Sequence, residues 1–408
     1  MRDVKMDILL FMSSGLDTPG PSWHLYTALI EDLVSYGHRV HLIESHSTGI
    51  NPDCPANLKD LENFSYETIN IEVVPKRAFA KRYLTGVKYC FRAKPLFKKQ
   101  RQYDVAMVQS CPWAPFATSF IKRYIKAPVI YNSQDMFPGA SIANGAMKRK
   151  WMQRFFYAFQ KIAYKKADHI SVISEDMKNK VMEQGVPAEK ITVIPDWYDD
   201  HSVREIPWDE NLFVKKYDMS KDVFYVQFAG TMGFNFDYRM VLNVAEILKN
   251  EQNIVFQMIG AGSQKDVFEE AARQRGLHNI VFLPLEPQEM VPHVYSACSA
   301  CLIPLPRGVI GNSVPSKAGL LMACHRVIIT SADADSEYNR MFNEKKIGMA
   351  YDCNDPAGVA AGIVQLRDNP LYREQLADNA KQYGAEIYAR HVNTRLYEQL
   401  YEKVRGQV

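Results

Sequence analysis

The run Val223-Phe224-Tyr225-Val226-Gln227-Phe228-Ala229, closed by Gly230-Thr231-Met232-Gly233, decides the fold. Its first seven residues are mostly β-branched or aromatic, the composition of a strand buried on both faces, and the glycines let the backbone turn and approach a ligand without a Cβ in the way. Just before it lies a polar, tryptophan-containing stretch from Asp196 to about Asp222. Upstream of that stretch, short apolar runs predict strands at Asp7 to Met12, Arg39 to Glu44, Asn70 to Val74, Val105 to Gln109, Val129 to Asn132, His169 to Ile173 and Ile191 to Ile194. Downstream the pattern restarts at Val223 and continues at Ile254 to Ile259, Ile280 to Leu283, Ala300 to Pro304, Val327 to Thr330 and Gly348 to Tyr351. Strands that alternate with helical patterns form βαβ units and parallel sheets, and a pattern that restarts once makes two domains.

The sequence therefore predicts an α/β protein of two doubly wound, Rossmann-like parallel sheets. Residues 1–196 form the first domain and 197–385 the second. A last helix over about 386–408, with Tyr388, Val392, Leu396, Leu400 and Val404 at near-helical spacing, is expected to pack back on the first. Open parallel sheets bind ligands beyond the carboxyl ends of their strands, so function is expected in the strand-to-helix loops of two domains facing across a cleft.

Composition narrows the class. The 408 residues exceed what one core organises, and 47% hydrophobic with 23% charged residues excludes disorder. A net charge of +3 is too balanced for a general polyanion binder, so no nucleic-acid partner is expected. The charge is uneven, with 27 Lys and Arg against 21 Asp and Glu up to residue 200, and 22 against 25 beyond it. Seven scattered cysteines, an odd number, fit free thiols in the cytoplasm. The run Ile8 to Met12 is too short for a signal-peptide core, and no stretch reaches eighteen uninterrupted apolar residues, so membrane contact is expected to be peripheral.

Several loops carry candidate chemistry. Ser13-Ser14-Gly15 ends the first strand before a helix, where amides of Ser14 and Gly15 can meet an anion or hydroxyls. Gly230, Thr231, Met232 and Gly233, with Gly260 and Gly262 one unit later, suggest a nucleotide crevice in the second domain. In Gly308-Val309-Ile310-Gly311-Asn312-Ser313-Val314-Pro315-Ser316-Lys317, Pro315 near a helix start, with Ser313 or Asn312 as cap, would aim amides at a bound anion. Lys317 there opposes the helix dipole, which points to a diphosphate contact, the alternative being a solvated surface cation. Asp135, after a predicted strand, reads either as a functional carboxylate or as a cap of a nearby turn. Asp333-Ala334-Asp335 has the spacing of a metal-diphosphate pair but follows a second-domain strand in an ordinary polar loop; Glu337 is the better candidate for donor hydroxyls. Cys298 and Cys301 lack a partner pair for zinc and read as buried thiols.

The order of these motifs resembles the glycosyltransferases of family four, retaining enzymes of the GT-B architecture. Ala167 to Ser174 with Gly185-Val186-Pro187, Lys190 and Val193-Ile194-Pro195-Asp196 looks like the end of that family's acceptor domain, and Asn279 to Phe282 with Pro287, Tyr295 and Leu302 to Leu305 like its donor-domain core. The block Val314-Pro315-Ser316-Lys317 to Ala323 is similar to the subset that builds bacterial surface polysaccharides. The resemblance implies a retaining transfer with no obligatory metal or cofactor. The donor, a nucleotide-diphosphate sugar, would sit mainly on the second domain and the acceptor, a lipid-linked or surface glycan, mainly on the first. It places Pro284 and Leu285 near the donor base and Gly260 and Gly262 near the donor, with the amides of Gly230 to Gly233, the helix start at Ser316 and Lys317 at the diphosphate. Ser110 or Cys111 stands where many members carry a histidine beside the reacting sugar. The family's two glutamates fall on Asn312 and Leu320, and its basic residue after the donor glycines on Phe234. No catalytic base can be named, and front-face departure assisted by the leaving phosphate is the expected chemistry. Asp135 sits where the subset often has an aspartate and a proline, which implies binding or orienting acceptor hydroxyls, and Asp135 and Lys317 are the candidate catalytic residues.

Between Glu72 and Asp104 there is no acidic residue, while Lys76, Arg77, Lys81, Arg82, Lys88, Arg92, Lys94, Lys98, Lys99 and Arg101 interleave with Phe79, Tyr83, Tyr89, Phe91 and Phe97. Such a segment can lie on an anionic bilayer through Lys81, Arg82, Tyr83, Lys88 and Arg92, with Lys148 to Phe159 extending the patch. The combined expectation is a cytoplasmic glycosyltransferase, peripheral on the inner face of the plasma membrane, with uridine as the donor nucleoside. The rivals are a sugar-nucleotide epimerase or hydrolase on the same architecture and a non-catalytic glycan-binding scaffold. A dinucleotide oxidoreductase is disfavoured by the missing G-x-G-x-x-G.

Overall fold

The structure is a computed structural model and describes residues 5–13, 23–47, 54, 56–72, 74, 78–98, 102–143, 145 and 147–407. Its strands are β1 (Asp7–Met12), β2 (Arg39–Ser47), β3 (Phe64–Ile71), β4 (Val105–Gln109), β5 (Val129–Ser133), β6 (His169–Val172), β7 (Ile191–Val193), β8 (Phe224–Thr231), β9 (Ile254–Ala261), β10 (Ile280–Leu283), β11 (Ala300–Pro304), β12 (Val327–Ala332) and β13 (Gly348–Asp352). They form two sheets, ordered β3-β2-β1-β4-β5-β6-β7 and β10-β9-β8-β11-β12-β13, with every neighbouring pair parallel. Both follow the doubly wound order predicted from the alternation of strands and helices, each with a switch point where strand order reverses, at β1/β4 and at β8/β11.

The central strands are apolar throughout because helices cover both faces of each sheet. Ile8 to Met12 of β1 are all 2% exposed or less, and Val226, Phe256, Met258 and Leu302 join helix residues Val241, Val244 and Ile363 in one core of the second sheet. One expected strand is displaced. The sequence reading placed it at Asn70 to Val74, whereas β3 runs from Phe64 to Ile71, an edge strand whose residues are mostly half-exposed and therefore lack an apolar run.

The chain divides into two compact units, Met1–Pro195 with Asn393–Val408, and Asp196–Val392. The last helix begins later than its apolar spacing suggests, at Arg390, because Tyr388 and Ala389 pair with Tyr198: the Tyr198 amide donates to the Tyr388 carbonyl (2.9 Å) and the Arg390 amide to the Tyr198 carbonyl (3.1 Å). Its buried face is also more polar than predicted, comprising Asn393, Thr394, Tyr397, Glu398, Leu400, Tyr401 and Val404. Within the first unit Asn132 Nδ2 donates to the Tyr397 hydroxyl (2.5 Å), His38 Nε2 bonds Glu398 Oε1 (3.0 Å), and Arg405 Nε lies 3.1 Å from Asp104.

Candidate functional site

The second sheet opens at its switch point. Strands β8 and β11 pair only through Val226 with Ala300 and Gln227 with Cys301, so they separate beyond Phe228. Carbonyls of alternate residues point to the same side of a strand. The Tyr225 carbonyl accepts from the Ser299 amide at 2.9 Å, which places the Ala229 carbonyl on the same, now opened, edge. Lys317 Nζ fills that vacancy in the ladder, donating to the Ala229 carbonyl at 3.1 Å and lying 3.7 Å from the centre of the Phe228 ring. Burial pushes the amine's pKa down to about 8, with the Cys301 thiol giving a smaller opposing push. Among the described residues no carboxylate pairs with Lys317.

The glycines are explained first by the backbone. Gly230 has φ +144°, and a Cβ on it would stand 2.9 Å from Lys317 Nζ. A Cβ on Gly260 would fall 2.0 Å from the Gly230 carbonyl oxygen, and one on Gly262 would fall 2.3 Å from that of Met232. These residues let the β8 and β9 turns close on each other whether or not a ligand is present. Thr231 is exposed and lies on the β11 side by the same alternation. The Met232 amide is not available to an anion, contrary to the sequence expectation, because it donates to the Ala261 carbonyl (2.9 Å), and its side chain is wholly in the core. Gly233 is half-buried with room around it.

The helix after the Gly308 loop runs from Lys317 to Ala323, with Ser316 as its N-cap and no side-chain capping bond. The expected cap at Ser313 or Asn312 is therefore corrected. The Ser313 amide donates to the Val309 carbonyl (3.1 Å), Asn312 Nδ2 bonds the Gly308 carbonyl (2.9 Å), and Pro315 precedes the cap rather than opening the helix. Asp333 accepts from the Gly308 amide at 2.8 Å, a loop-fixing role. Glu337 opens the helix Glu337–Glu344 and pairs with Arg340. Pro284 and Leu285 lie exposed after β10, Leu285 at 63%.

In the first unit the carboxyl ends of β1, β2, β4 and β5 are tied together by polar side chains. Ser45 Oγ donates to the Ser13 carbonyl (2.5 Å), the Ser13 amide donates to Gln109 Oε1 (3.1 Å), and the Ser110 amide donates to the Asn132 carbonyl (2.7 Å). The Tyr26 hydroxyl lies within hydrogen-bond distance of two acceptors, Asn132 Oδ1 (3.0 Å) and Gln134 Oε1 (3.2 Å). Tyr26, Gln109, Asn132 and Gln134 were not singled out by sequence, although a polar residue ending an apolar strand, as in Val105 to Gln109, was the available signal. Ser110 and exposed Asp135 both follow strand ends here. Cys111 is buried and its thiol is pushed up to about 12, which removes it as an acid or base near neutrality. Ser14 and Gly15 lie outside the described residues.

The cationic segment is the helix Phe79–Lys98, which packs beside Ala114–Tyr124, itself packed on Lys150–Lys166. These three helices carry thirteen Lys and Arg and no Asp or Glu. Lys81 pairs with Glu72 just upstream, and Arg92 Nη1 donates to the Asn70 carbonyl (2.6 Å), while Arg82 and Lys88 are exposed. Tyr83 stacks edge-on to Phe156 (5.4 Å) rather than standing free, and the rings of Phe91, Phe116, Phe120, Phe155 and Phe159 interlock. Trp151 and Phe155 are 64% and 53% exposed. Lys76, Arg77, Lys99 and Arg101 lie outside the described residues. Among the described residues no helix is long and apolar enough to cross a membrane.

Two doubly wound parallel sheets, the second with a glycine turn and a lysine at its opened switch point, are the architecture of the GT-B class. A glycosyl transferase 4-like domain matches residues 20–197 and a glycosyl transferases group 1 domain matches residues 209–383; the chain belongs to this family of glycosyltransferases. It is 27% identical over 211 residues to the colanic acid biosynthesis glycosyl transferase WcaI of Escherichia coli K12, a match spanning 52% of this chain and about half (51%) of that relative's length. It is 25% identical to the glycosyltransferase WbjE of Pseudomonas aeruginosa over 330 residues, 78% of this chain and 79% of that one. HepE of Anabaena, solved in complex with UDP-glucose, shares the fold with a TM-score of 0.71 at 13% identity, over 97% of this chain and 100% of that chain.

Proposed function

We propose that this glycosyltransferase moves a sugar, with retention, from a uridine diphosphate donor held by the second unit to a lipid-linked or surface glycan held by the first. The observation that carries the proposal is Lys317, an ammonium in the opened edge between β8 and β11, next to a glycine turn and with only neutral partners. A buried cation costs free energy unless a counter-charge is supplied, and a departing diphosphate is such a charge. A chain of the same fold solved with UDP-glucose supports uridine as the nucleoside.

In the transfer, the bond between the anomeric carbon and the β-phosphate oxygen breaks, and its electron pair leaves on that oxygen, where Lys317 stabilises it. The acceptor hydroxyl forms the new bond on the same face and gives its proton to the leaving phosphate oxygen. Asn312 and Leu320, where the resemblance implies glutamates, offer no carboxylate for this proton. Asp135 orients the acceptor hydroxyl beyond the carboxyl end of β5, beside Ser110 at the end of β4.

The acid-free helices Phe79–Lys98, Ala114–Tyr124 and Lys150–Lys166 lie on the anionic inner face of the plasma membrane, with Trp151 and Phe155 at the headgroups, bringing the enzyme to a lipid-linked acceptor. Mass spectrometry of products, after incubation with a panel of nucleotide sugars and bacterial lipid extract, tests the reading. A hexose added to a lipid-linked glycan with release of UDP is expected, and donor turnover that needs no acceptor would indicate the epimerase or hydrolase instead.

A further inference from the structure

Lys317 is held by groups that carry no net charge, and the identity of one of them matters. We propose that Phe228 is a positioning residue: its ring face, with the Ala229 carbonyl, fixes the Lys317 ammonium at the Gly230 turn while leaving its full charge for a nucleoside diphosphate. The inference rests on the diphosphate role given to Lys317 above.

The ring centre is 3.7 Å from Nζ, well inside the reach of a cation–π contact. A carboxylate in its place would hold the lysine too, but its negative charge would repel the diphosphate; a ring attracts through its quadrupole alone. The ring is itself fixed. Phe228 is buried, its centre lies 4.2 Å from that of Phe236, and Phe236 packs on Phe268 at 5.7 Å. The loop beyond is tied to β11 by the Asp237 amide, which donates to the Pro304 carbonyl at 3.0 Å. On the remaining side Gly230 leaves the amine just enough space, since a Cβ there would stand 2.9 Å from Nζ. Among the described residues two titratable groups lie at the amine, Cys301 of β11 and Tyr295, whose hydroxyl donates to the same Ala229 carbonyl at 3.4 Å; burial raises the pKa of both, so neither offers a carboxylate-like counter-charge.

The test is calorimetric titration of the intact protein with UDP from about pH 6.5 to about 9.5, bracketing the lysine. Phe228→Leu is expected to weaken binding about 3- to 30-fold and to move the pH at which affinity declines downward, because the cation loses the group that stabilises it. Phe228→Met fills the same space flexibly and serves if the leucine variant does not fold. Phe228→Tyr keeps the ring face and should stay within about twofold of the native protein. A purely packing role would change the unfolding temperature and leave the pH midpoint in place. Unchanged affinity and midpoint in Phe228→Leu or Phe228→Met, or an equal loss in Phe228→Tyr, with Lys317→Met still weak, overturns the role of Phe228 alone. Equal binding by the native protein and Lys317→Met overturns the diphosphate role itself.

Discussion

Gly86 lies flat on the indole of Trp113: a Cβ placed on the glycine would fall 2.1 Å from Cδ2 of the ring. The contact seats the cationic helix Phe79–Lys98 directly on the loop after β4, the loop that holds Ser110 and Cys111. The surface proposed to meet the bilayer and the strand end proposed to meet the acceptor therefore belong to one packed piece. Gly86→Ala should destabilise the protein by about 1–3 kcal/mol in urea unfolding through overpacking, and should lower transfer to a lipid-linked acceptor while UDP affinity is unchanged.

A diphosphate binds the protonated form of Lys317, whose pKa in the free protein is about 8. UDP affinity is accordingly level below that pH and falls as pH rises through it, by up to about tenfold per unit. Lys317→Met should bind UDP about 10- to 100-fold more weakly at neutral pH and show no such decline. Titration calorimetry at several pH values measures both.

Gly260→Ala should cost roughly 2–4 kcal/mol, because it combines a φ of +142° with a methyl group 2.0 Å from the Gly230 carbonyl oxygen. Relief of that clash displaces Gly230, so a drop in UDP affinity should accompany the lower unfolding midpoint. Gly233→Ala, with room for a Cβ, is the matched control.

His169, 1% exposed on β6 with Nε2 on the Thr192 hydroxyl (2.8 Å), has its pKa lowered to about 4 by burial and by Lys403 and Lys190. The unfolded chain, with a value of 6.5, binds more protons between the two, so stability rises with pH across that window. The stabilisation is complete above about pH 6.5 and is lost on acidification, roughly 3 kcal/mol of it by pH 4. Urea unfolding of His169→Gln against the native chain at both ends of the window should show a shallower acid dependence.

Vesicle sedimentation tests the acid-free face. Replacing Lys150, Arg154 and Lys161 by Gln should weaken binding to phosphatidylglycerol vesicles on the order of 100-fold, at about 1 kcal/mol for each cation. Native binding should fall with added salt as the Debye length shortens. Equal binding to uncharged phosphatidylcholine vesicles would remove the electrostatic basis.

The doubly wound order was legible because buried parallel strands, such as Val105 to Gln109 and Ala300 to Pro304, are continuous apolar runs whose ends coincide with the strands themselves. The shift of β3 shows the limit of that signal at a sheet edge, where most side chains are only partly buried. Lys317 was conspicuous as a lysine at a helix start, but its place was not: the vacancy it fills depends on β8 and β11 parting, a pairing of segments more than seventy residues apart. The buried polar face of the last helix was equally hidden, since Tyr397 and Glu398 look like surface residues until Asn132 and His38 supply their hydrogen bonds.

The first unit is closed by residues from the far end of the chain, and this sets a timetable for synthesis. Asn132 must wait for a partner 265 positions later, roughly 10–50 s at ordinary translation rates, while the whole second unit leaves the ribosome in between. A nascent chain thus carries an unfinished N-terminal sheet while the insert is already complete, exposed to chaperones until the segment from Asn393 onward emerges. A premature stop codon just past Asn393 would harm the start of the protein more than its middle.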